Sequence, residues 1–258
     1  MPLLQTAEVV VRFGGIHALS GVDLDAEEGC VTGLIGPNGA GKTTLFNVIS
    51  GLQSPTRGRV FLDGGDITSK SVHKRARLGL ARTFQRLEVF GSLSARDNVR
   101  VAVELHRRYS RTKVDVEETT LALLERTGIA GLSDQRADTL STGAARLTEL
   151  ARALATSPRL LLLDEPGSGL DSAESEAFGH LLGELAAEGL GILMVEHDME
   201  LVMQVCTRIH VLDFGVKIAE GTPAEIRGDP RVQAAYLGAD DEAVPPEELE
   251  GAPAGGHQ

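Results

Sequence analysis

The sequence predicts an α/β fold built around a phosphate-binding loop, and three observations carry that prediction. Gly36-Pro37-Asn38-Gly39-Ala40-Gly41-Lys42-Thr43 satisfies G-x-x-x-x-G-K-[ST] at every fixed position. The motif lies between a short apolar, β-branched-rich run, Val31 to Ile35, and a segment whose Leu45, Phe46, Val48 and Ile49 form an apolar face before Gly51. This is a strand, a loop and a helix in that order. Two further runs, Leu160 to Leu163 and Gly191 to Val195, are apolar on both faces and end in acidic residues. Such runs suit central strands of a parallel sheet, whose carboxyl ends are where ligands bind.

The 258 residues, 42% of them hydrophobic, are enough to bury a core for one domain or a domain with a subdomain. No apolar run approaches the roughly 18 residues that span a bilayer. Met1 to Val11 carries Glu8 and lacks a basic flank before an apolar core, so no secretory signal is expected. Cys30 and Cys206 are too isolated for a disulfide framework or a metal cluster, which fits a reducing compartment. Of the net charge of −12, six charges fall on Asp240, Asp241, Glu242, Glu247, Glu248 and Glu250. The acidic body that remains argues against nonspecific binding to nucleic acid.

Taken in order, residues 6 to 12 and 19 to 25 read as strands around a turn at Phe13-Gly14-Gly15. Phe13 thus lies in a loop, either as a core plug or as a surface for a flat base. In the phosphate loop, glycines let successive backbone N–H groups point at phosphate oxygens, and the following helix adds its positive end. Lys42 reaches the β- and γ-phosphates, the Thr43 hydroxyl suits Mg²⁺, and Thr44 sits one position further into the helix. Gly58 to Asp63 reads as a strand and 71 to 78 as a basic helix. Beyond Gln85, helical spacing dominates from about 94 to 155. Within it His106, Arg107, Arg108, Arg111 and Lys113 cluster, as a solvated face or as an RNA or lipid contact, without interleaved aromatics to stack on bases.

Asp164 and Glu165 close the Leu160 to Leu163 run. Beside a phosphate loop, Asp164 is placed to meet Mg²⁺ and Glu165 to polarise a water for attack on the γ-phosphate. His197, in Glu196-His197-Asp198, ends the neighbouring strand within reach of that phosphate. Asp213-Phe214-Gly215 mimics a kinase motif, but the other kinase elements are missing, so it reads as a hairpin turn between 207–212 and 216–220. Thr222-Pro223 reads as a cap and a first helical position. Pro, Gly and acidic residues from Ala239 onward predict disorder.

The order of these pieces, from Gly36–Thr43 through Gln85, Leu140-Ser141-Thr142-Gly143-Ala144, Asp164-Glu165, Gly169-Leu170-Asp171 and His197, resembles the nucleotide-binding subunit of ATP-binding cassette (ABC) transporters. Arg12-Phe13-Gly14-Gly15, Thr83-Phe84-Gln85, Val195-Glu196-His197-Asp198-Met199, Ala219-Glu220-Gly221-Thr222-Pro223, and Asp229-Pro230-Arg231-Val232 through Tyr236-Leu237-Gly238 resemble the branched-chain amino acid importer branch. The resemblance implies a P-loop NTPase cassette at 1–238, with a mixed sheet core, an N-terminal antiparallel β-subdomain and an inserted helical subdomain at about 86–158, followed by an acidic tail at 239–258. Phe13 then corresponds to the adenine-stacking aromatic, Gln85 to the loop that senses Mg²⁺ and couples to membrane subunits, Asp171 to a loop crossing a dimer interface, and His197 to the γ-phosphate switch. ATP and Mg²⁺ are the implied ligands. Transmembrane permease subunits, a second ABC ATPase in a homodimer or heterodimer and, indirectly, an extracytoplasmic solute-binding protein are the implied partners, with the chain peripheral on the cytoplasmic face of the membrane.

By the same analogy, residues 86 to 100, Leu93 and Val99 among them, are expected to receive the permease. In the signature, Ser141 and Gly143 match L-S-G-G-Q, whereas Thr142 and Ala144 replace Gly and Gln. Ser141 and Gly143 are expected to serve the nucleotide held by the facing subunit, and the missing Gln predicts slower turnover there. A soluble ABC ATPase acting on nucleic acid or ribosomes, a noncatalytic regulator, and a subunit for urea or amides are the competing readings.

Overall fold

The computed structural model describes residues 2–110 and 113–240. In chain order the elements are β1 (Leu4–Phe13), β2 (Ile16–Ala26), β3 (Val31–Ile35), α1 (Lys42–Ser50), β4 (Arg57–Leu62), β5 (Gly65–Asp66), α2 (Val72–Arg77), β6 (Leu80–Arg82) and α3 (Ala95–Ser110). They continue with α4 (Val116–Arg126), α5 (Thr142–Leu154), β7 (Leu160–Asp164), α6 (Ser172–Ala187), β8 (Gly191–Val195), α7 (Met199–Val205), β9 (Arg208–Asp213), β10 (Val216–Gly221), α8 (Pro223–Gly228) and α9 (Pro230–Asp240). The predicted strands and helices all form, with ends shifted by one to three residues, as expected where fraying sets the boundary. α9 carries regular structure through Asp240, past the expected edge at 238. The rest of the acidic tail, 241–258, lies outside the described residues.

Two sheets result. One is antiparallel, in the order β2-β1-β4-β5. The other runs β10-β9-β3-β8-β7-β6, parallel from β9 to β6 and closed by the antiparallel β9–β10 hairpin. Phe214 and Gly215 make that hairpin's turn, both at positive φ.

Register decides where the chemistry gathers. Leu34 pairs with Val195, and Val195 with Asp164, so β3, β8 and β7 end in one row. The loops that follow these strands therefore emerge along one edge of the sheet, as the crevice rule for parallel sheets requires.

α1 packs between the two sheets. Its Leu45, Phe46, Val48 and Ile49 are fully buried among Leu4, Leu19, Val60, Leu162 and Leu193, each contributing about 1.5–3 kcal/mol. A charged residue finishes this helix. Arg75 is 1% exposed, and its guanidinium donates to the carbonyls of Val48, Ile49, Thr68 and Lys70 at 2.6–2.9 Å. Two of those carbonyls lie in the last turn of α1, where a cation also meets the negative end of the helix.

On the far face of the large sheet, Phe178, Leu181, Leu182 and Leu185 of α6 pack with Leu201 and Val202 of α7. A third core, formed by Val99, Val103, Leu124, Ile129 and Ala151, joins α3, α4 and α5. Val99 therefore belongs to the interior at 0% exposed and does not face a partner as expected, because the apolar stripe of α3 is consumed by α4 and α5. The outward residues of 86–100 include Arg86, Glu88, Phe90, Ser92 and Arg100.

Candidate nucleotide-binding and hydrolysis site

The loop after β3 has the curled backbone that its glycines predict. Gly36, Gly39 and Gly41 all have positive φ. A Cβ on Gly36 would lie 2.0 Å from the Leu212 carbonyl oxygen, and one on Gly41 would lie 2.7 Å from that of Ala18, so at both positions space and conformation demand glycine. The Gly215 N–H donates to Ala40 O at 2.9 Å, pinning the loop to the β9–β10 turn. Gly36 and Ala40 are buried, Pro37 is half-buried, and Asn38, Gly39 and Thr43 are exposed. Lys42 opens α1, and its Nζ donates to Gly36 O at 2.6 Å and Pro37 O at 2.9 Å. Burial pushes the Lys42 ammonium below the usual lysine range, while the charges of Glu165 and Asp164 pull it back up. Thr44, half-buried, follows in the first turn.

Three polar segments converge at the carboxyl ends of β7 and β8. Asp164 is 4% exposed and accepts from Arg82 Nη2 at 2.8 Å. Glu165 sits at φ +48, a conformation uncommon for a residue with a Cβ, held there by the hydrogen bond from its N–H to Val195 O at 2.9 Å. Gln85 Nε2 donates to Glu165 Oε2 at 2.8 Å, and His197 Nδ1 stands 4.0 Å from the same oxygen. Gln85, Glu165 and His197, which sequence alone scatters over more than a hundred positions, are thus one cluster.

Sequence reasoning passed over the residues that hold this cluster in place. Glu196 is 1% exposed; its Oε1 accepts from Gly167 N–H at 2.6 Å and its Oε2 from His197 N–H at 3.0 Å and Asp198 N–H at 3.3 Å. Burial raises its carboxyl above the usual range, and those backbone donors partly offset the effect. On α5, Arg146 donates to Phe84 O at 3.0 Å and Gln85 O at 2.8 Å, and Arg152 donates to Glu88 O while its guanidinium lies 4.5 Å from the centre of the Phe90 ring. Glu149 completes this face by accepting from Phe84 N–H and Glu88 N–H at 3.5 and 3.4 Å. Spacing of three along one helix was the available signal, masked by the ordinary look of charged residues on a helix.

Ser141, Gly143 and Asp171 form a second group. Ser141 caps α5, its Oγ accepting from Ala144 N–H at 3.2 Å, which leaves the hydroxyl proton free to donate outward. Asp171 caps α6 in a reciprocal box with Glu174, at 2.8 and 3.1 Å. Gly143 packs on that box, where a Cβ would come within 2.5 Å of Glu174 Oε1. Thr142 is exposed, but Ala144 is buried at 7% in its own subunit, so a longer side chain there meets its own neighbours first. Phe13 is the last residue of β1, paired with Ile16 of β2 and not in the expected loop, and at 49% exposed it is open to solvent and not a core plug.

The donor set fits a magnesium shared with a nucleotide. A threonine hydroxyl, one carboxylate and one amide are hard oxygen ligands, and the nucleotide's phosphates and waters fill the rest of such a shell. Among the described residues no three His, Cys, Asp or Glu side chains gather as a metal cage.

Residues 19–168 match the ABC transporter family, and residues 216–242 match the branched-chain amino acid ATP-binding cassette transporter family. The chain belongs to the ABC transporter ATP-binding family. This cassette is 39% identical over 250 residues to BraF, the high-affinity branched-chain amino acid transport ATP-binding protein of Pseudomonas aeruginosa, covering 92% of this chain and 98% of that one. Its fold is similar to that of the ADP conformation of the ATP-binding cassette MJ1267 (TM-score 0.82, 32% identity, covering 92% of this chain and 99% of that one). It is also similar to the dimeric bacterial ABC transporter cassette MJ0796 (TM-score 0.75, 26% identity, covering 85% and 98%). The match over 216–242 falls on β10, α8 and α9, outside the shared ATPase motifs.

Proposed function

We propose that this cassette binds ATP with Mg²⁺ and hydrolyses it to power an importer of branched-chain or related amino acids, from the cytoplasmic face of the membrane. The observation that carries the catalytic part is the convergence of Gln85 and His197 on one oxygen of Glu165. BraF and the family match at 216–242 support the solute class.

Phe13 stacks on the adenine. The loop of Gly36, Pro37, Asn38, Gly39, Ala40 and Gly41 wraps the phosphates with backbone N–H groups, and Lys42 exchanges its two carbonyl partners for β- and γ-phosphate oxygens. Thr43, Asp164 and Gln85 would hold the metal, which when bound would neutralise phosphate charge. Glu165 takes a proton from the attacking water while His197 holds the γ-phosphate; the bond to that phosphorus forms as the bond to the ADP oxygen breaks. The 65% exposed His197 side chain is accessible for that role.

Ser141 and Gly143 face the γ-phosphate bound on a second cassette, and Asp171 crosses the same interface, in a homodimer or a heterodimer. The dimeric cassette MJ0796 supports this arrangement. No helix among the described residues is long and apolar enough to cross a membrane. Transport therefore assigns the path to separate permease subunits, with a solute-binding protein upstream of them, and the outward residues of 86–100 as the docking surface.

The test is co-purification of the cassette with its permease, followed by ATP-driven leucine uptake into vesicles. Uptake that disappears with Glu165→Gln supports the proposal; turnover that never responds to permease or solute overturns the transport part. Ser141→Arg in the Glu165→Gln background should abolish the ATP-bound dimer in size analysis, and a normal dimer removes Ser141 from the shared site.

A further inference from the structure

Arg82, the last residue of β6, is placed where an ordinary strand end would turn to solvent, yet its side chain is only 8% exposed. Nη1 donates to Asn47 Oδ1 at 2.7 Å and Ser50 Oγ at 2.9 Å, both on α1, and Nη2 donates to Asp164 Oδ2 at 2.8 Å. The guanidinium lies 5.6 Å from the centre of the Phe46 ring and 5.0 Å from that of Phe84. It is therefore fixed on several sides, by the phosphate-loop helix, by two aromatic rings and by a carboxylate whose side chain is 5% exposed.

A buried ion pair is an expensive way to hold a fold together, since well-packed apolar residues often do as well. The pair is explained if Asp164 has to be a carboxylate for another reason. We propose that Arg82 is a positioning residue that acts as the counter-cation of Asp164 while no metal is bound, and that it then opposes Mg²⁺ at the same carboxylate. This rests on the reading of Asp164 as the carboxylate that meets the metal.

The consequences follow from charge. Arg82 on Oδ2 holds the carboxylate in one orientation, with its other oxygen left as the one that would serve a metal. A divalent cation held by that carboxylate would be opposed by the buried guanidinium 2.8 Å from Oδ2, where water screens poorly, and would bind more weakly than the carboxylate alone allows. Phe84, which precedes Gln85, lies against the guanidinium, so the same loop that carries Gln85 also helps hold Arg82.

The test measures Mn²⁺ binding by the full chain in the presence of ADP, by paramagnetic resonance of free Mn²⁺, together with melting temperatures. Arg82→Met should lower the Mn²⁺ concentration for half-saturation about tenfold, whereas Arg82→Lys, which keeps the charge, and Asn47→Ala, which removes an anchor and keeps the charge, should stay within about twofold. ADP affinity in EDTA should be equal in all four proteins, within about twofold. Metal-free Arg82→Met should melt on the order of 10 °C lower, with most of that recovered by Mn²⁺ and ADP together. An unchanged or raised half-saturation in Arg82→Met, or the same shift in all three variants, overturns the proposal. If Arg82→Met does not fold without metal, refolding in Mn²⁺ and ADP is the expected rescue, and failure of that rescue also overturns it. Asp164→Asn separates the two readings: if it leaves Mn²⁺ binding untouched, the assignment of Asp164 is what has failed.

Discussion

Gln85 Nε2 donates to Glu165 Oε2 at 2.8 Å, while the Gln85 carbonyl accepts from Arg146 Nη2 at the same distance. One residue thus joins the carboxylate at the end of β7 to α5, the helix that Ser141 caps. The loop between β6 and α3 is held at both ends of that connection, which ties Glu165 to the helix whose first turn carries Ser141 and Gly143.

Glu165→Gln keeps the shape and hydrogen bonding of the side chain but cannot accept a proton from water. We expect turnover to fall by about a hundredfold or more while ATP affinity stays within a few-fold. Lys42→Ala should do the reverse, weakening nucleotide binding first. Fluorescent-nucleotide titration beside phosphate release separates the two, and equal loss of binding in both variants would remove Glu165 from the role of base.

Arg146→Met removes the two donors that fix the Phe84 and Gln85 carbonyls. The expected result is a drop in kcat of about tenfold, equivalent to about 1.4 kcal/mol, with little change in KM for ATP. A KM change of the same size would mean that the loop serves nucleotide binding and not the catalytic arrangement.

Arg75→Met should act on stability. Four backbone carbonyls lose their donor at a buried position, at a cost of about 3 kcal/mol. Thermal unfolding should shift down by roughly 6–12 °C. A shift under about 2 °C would show that those carbonyls find other partners.

Glu220 supplies the pH test. The Lys217 ammonium, with help from Arg208, holds its carboxyl down to about 2. A depressed carboxyl stabilises the folded chain above its unfolded value and loses that contribution as pH falls through the folded one. Because Glu220 is about a third exposed, screening leaves on the order of 1 kcal/mol. Wild type should therefore melt above Glu220→Gln at pH 7, with the gap closing between about pH 4.5 and pH 2. A gap that persists at pH 2 would assign the difference to packing.

The phosphate loop, the strands that end in Asp164-Glu165 and Glu196-His197, and most helix and strand positions are legible residue by residue, because each rests on local rules: glycine geometry, apolar periodicity and capping residues. Thr222-Pro223 was legible for the same reason, and it caps α8 in a reciprocal box with Glu225. The non-local features depend on packing between distant segments. Val99 went inside because α4 and α5 cover its face of α3. Arg75, Arg82 and Glu196, which would be solvated in an isolated segment, are buried because the fold brings backbone carbonyls, Asp164 and backbone N–H groups to within hydrogen-bond distance of them. A charge can leave water only where several partners meet it at once. Those partners here lie up to 82 positions away in the chain, a distance that only the register of β6, β7 and β8 closes.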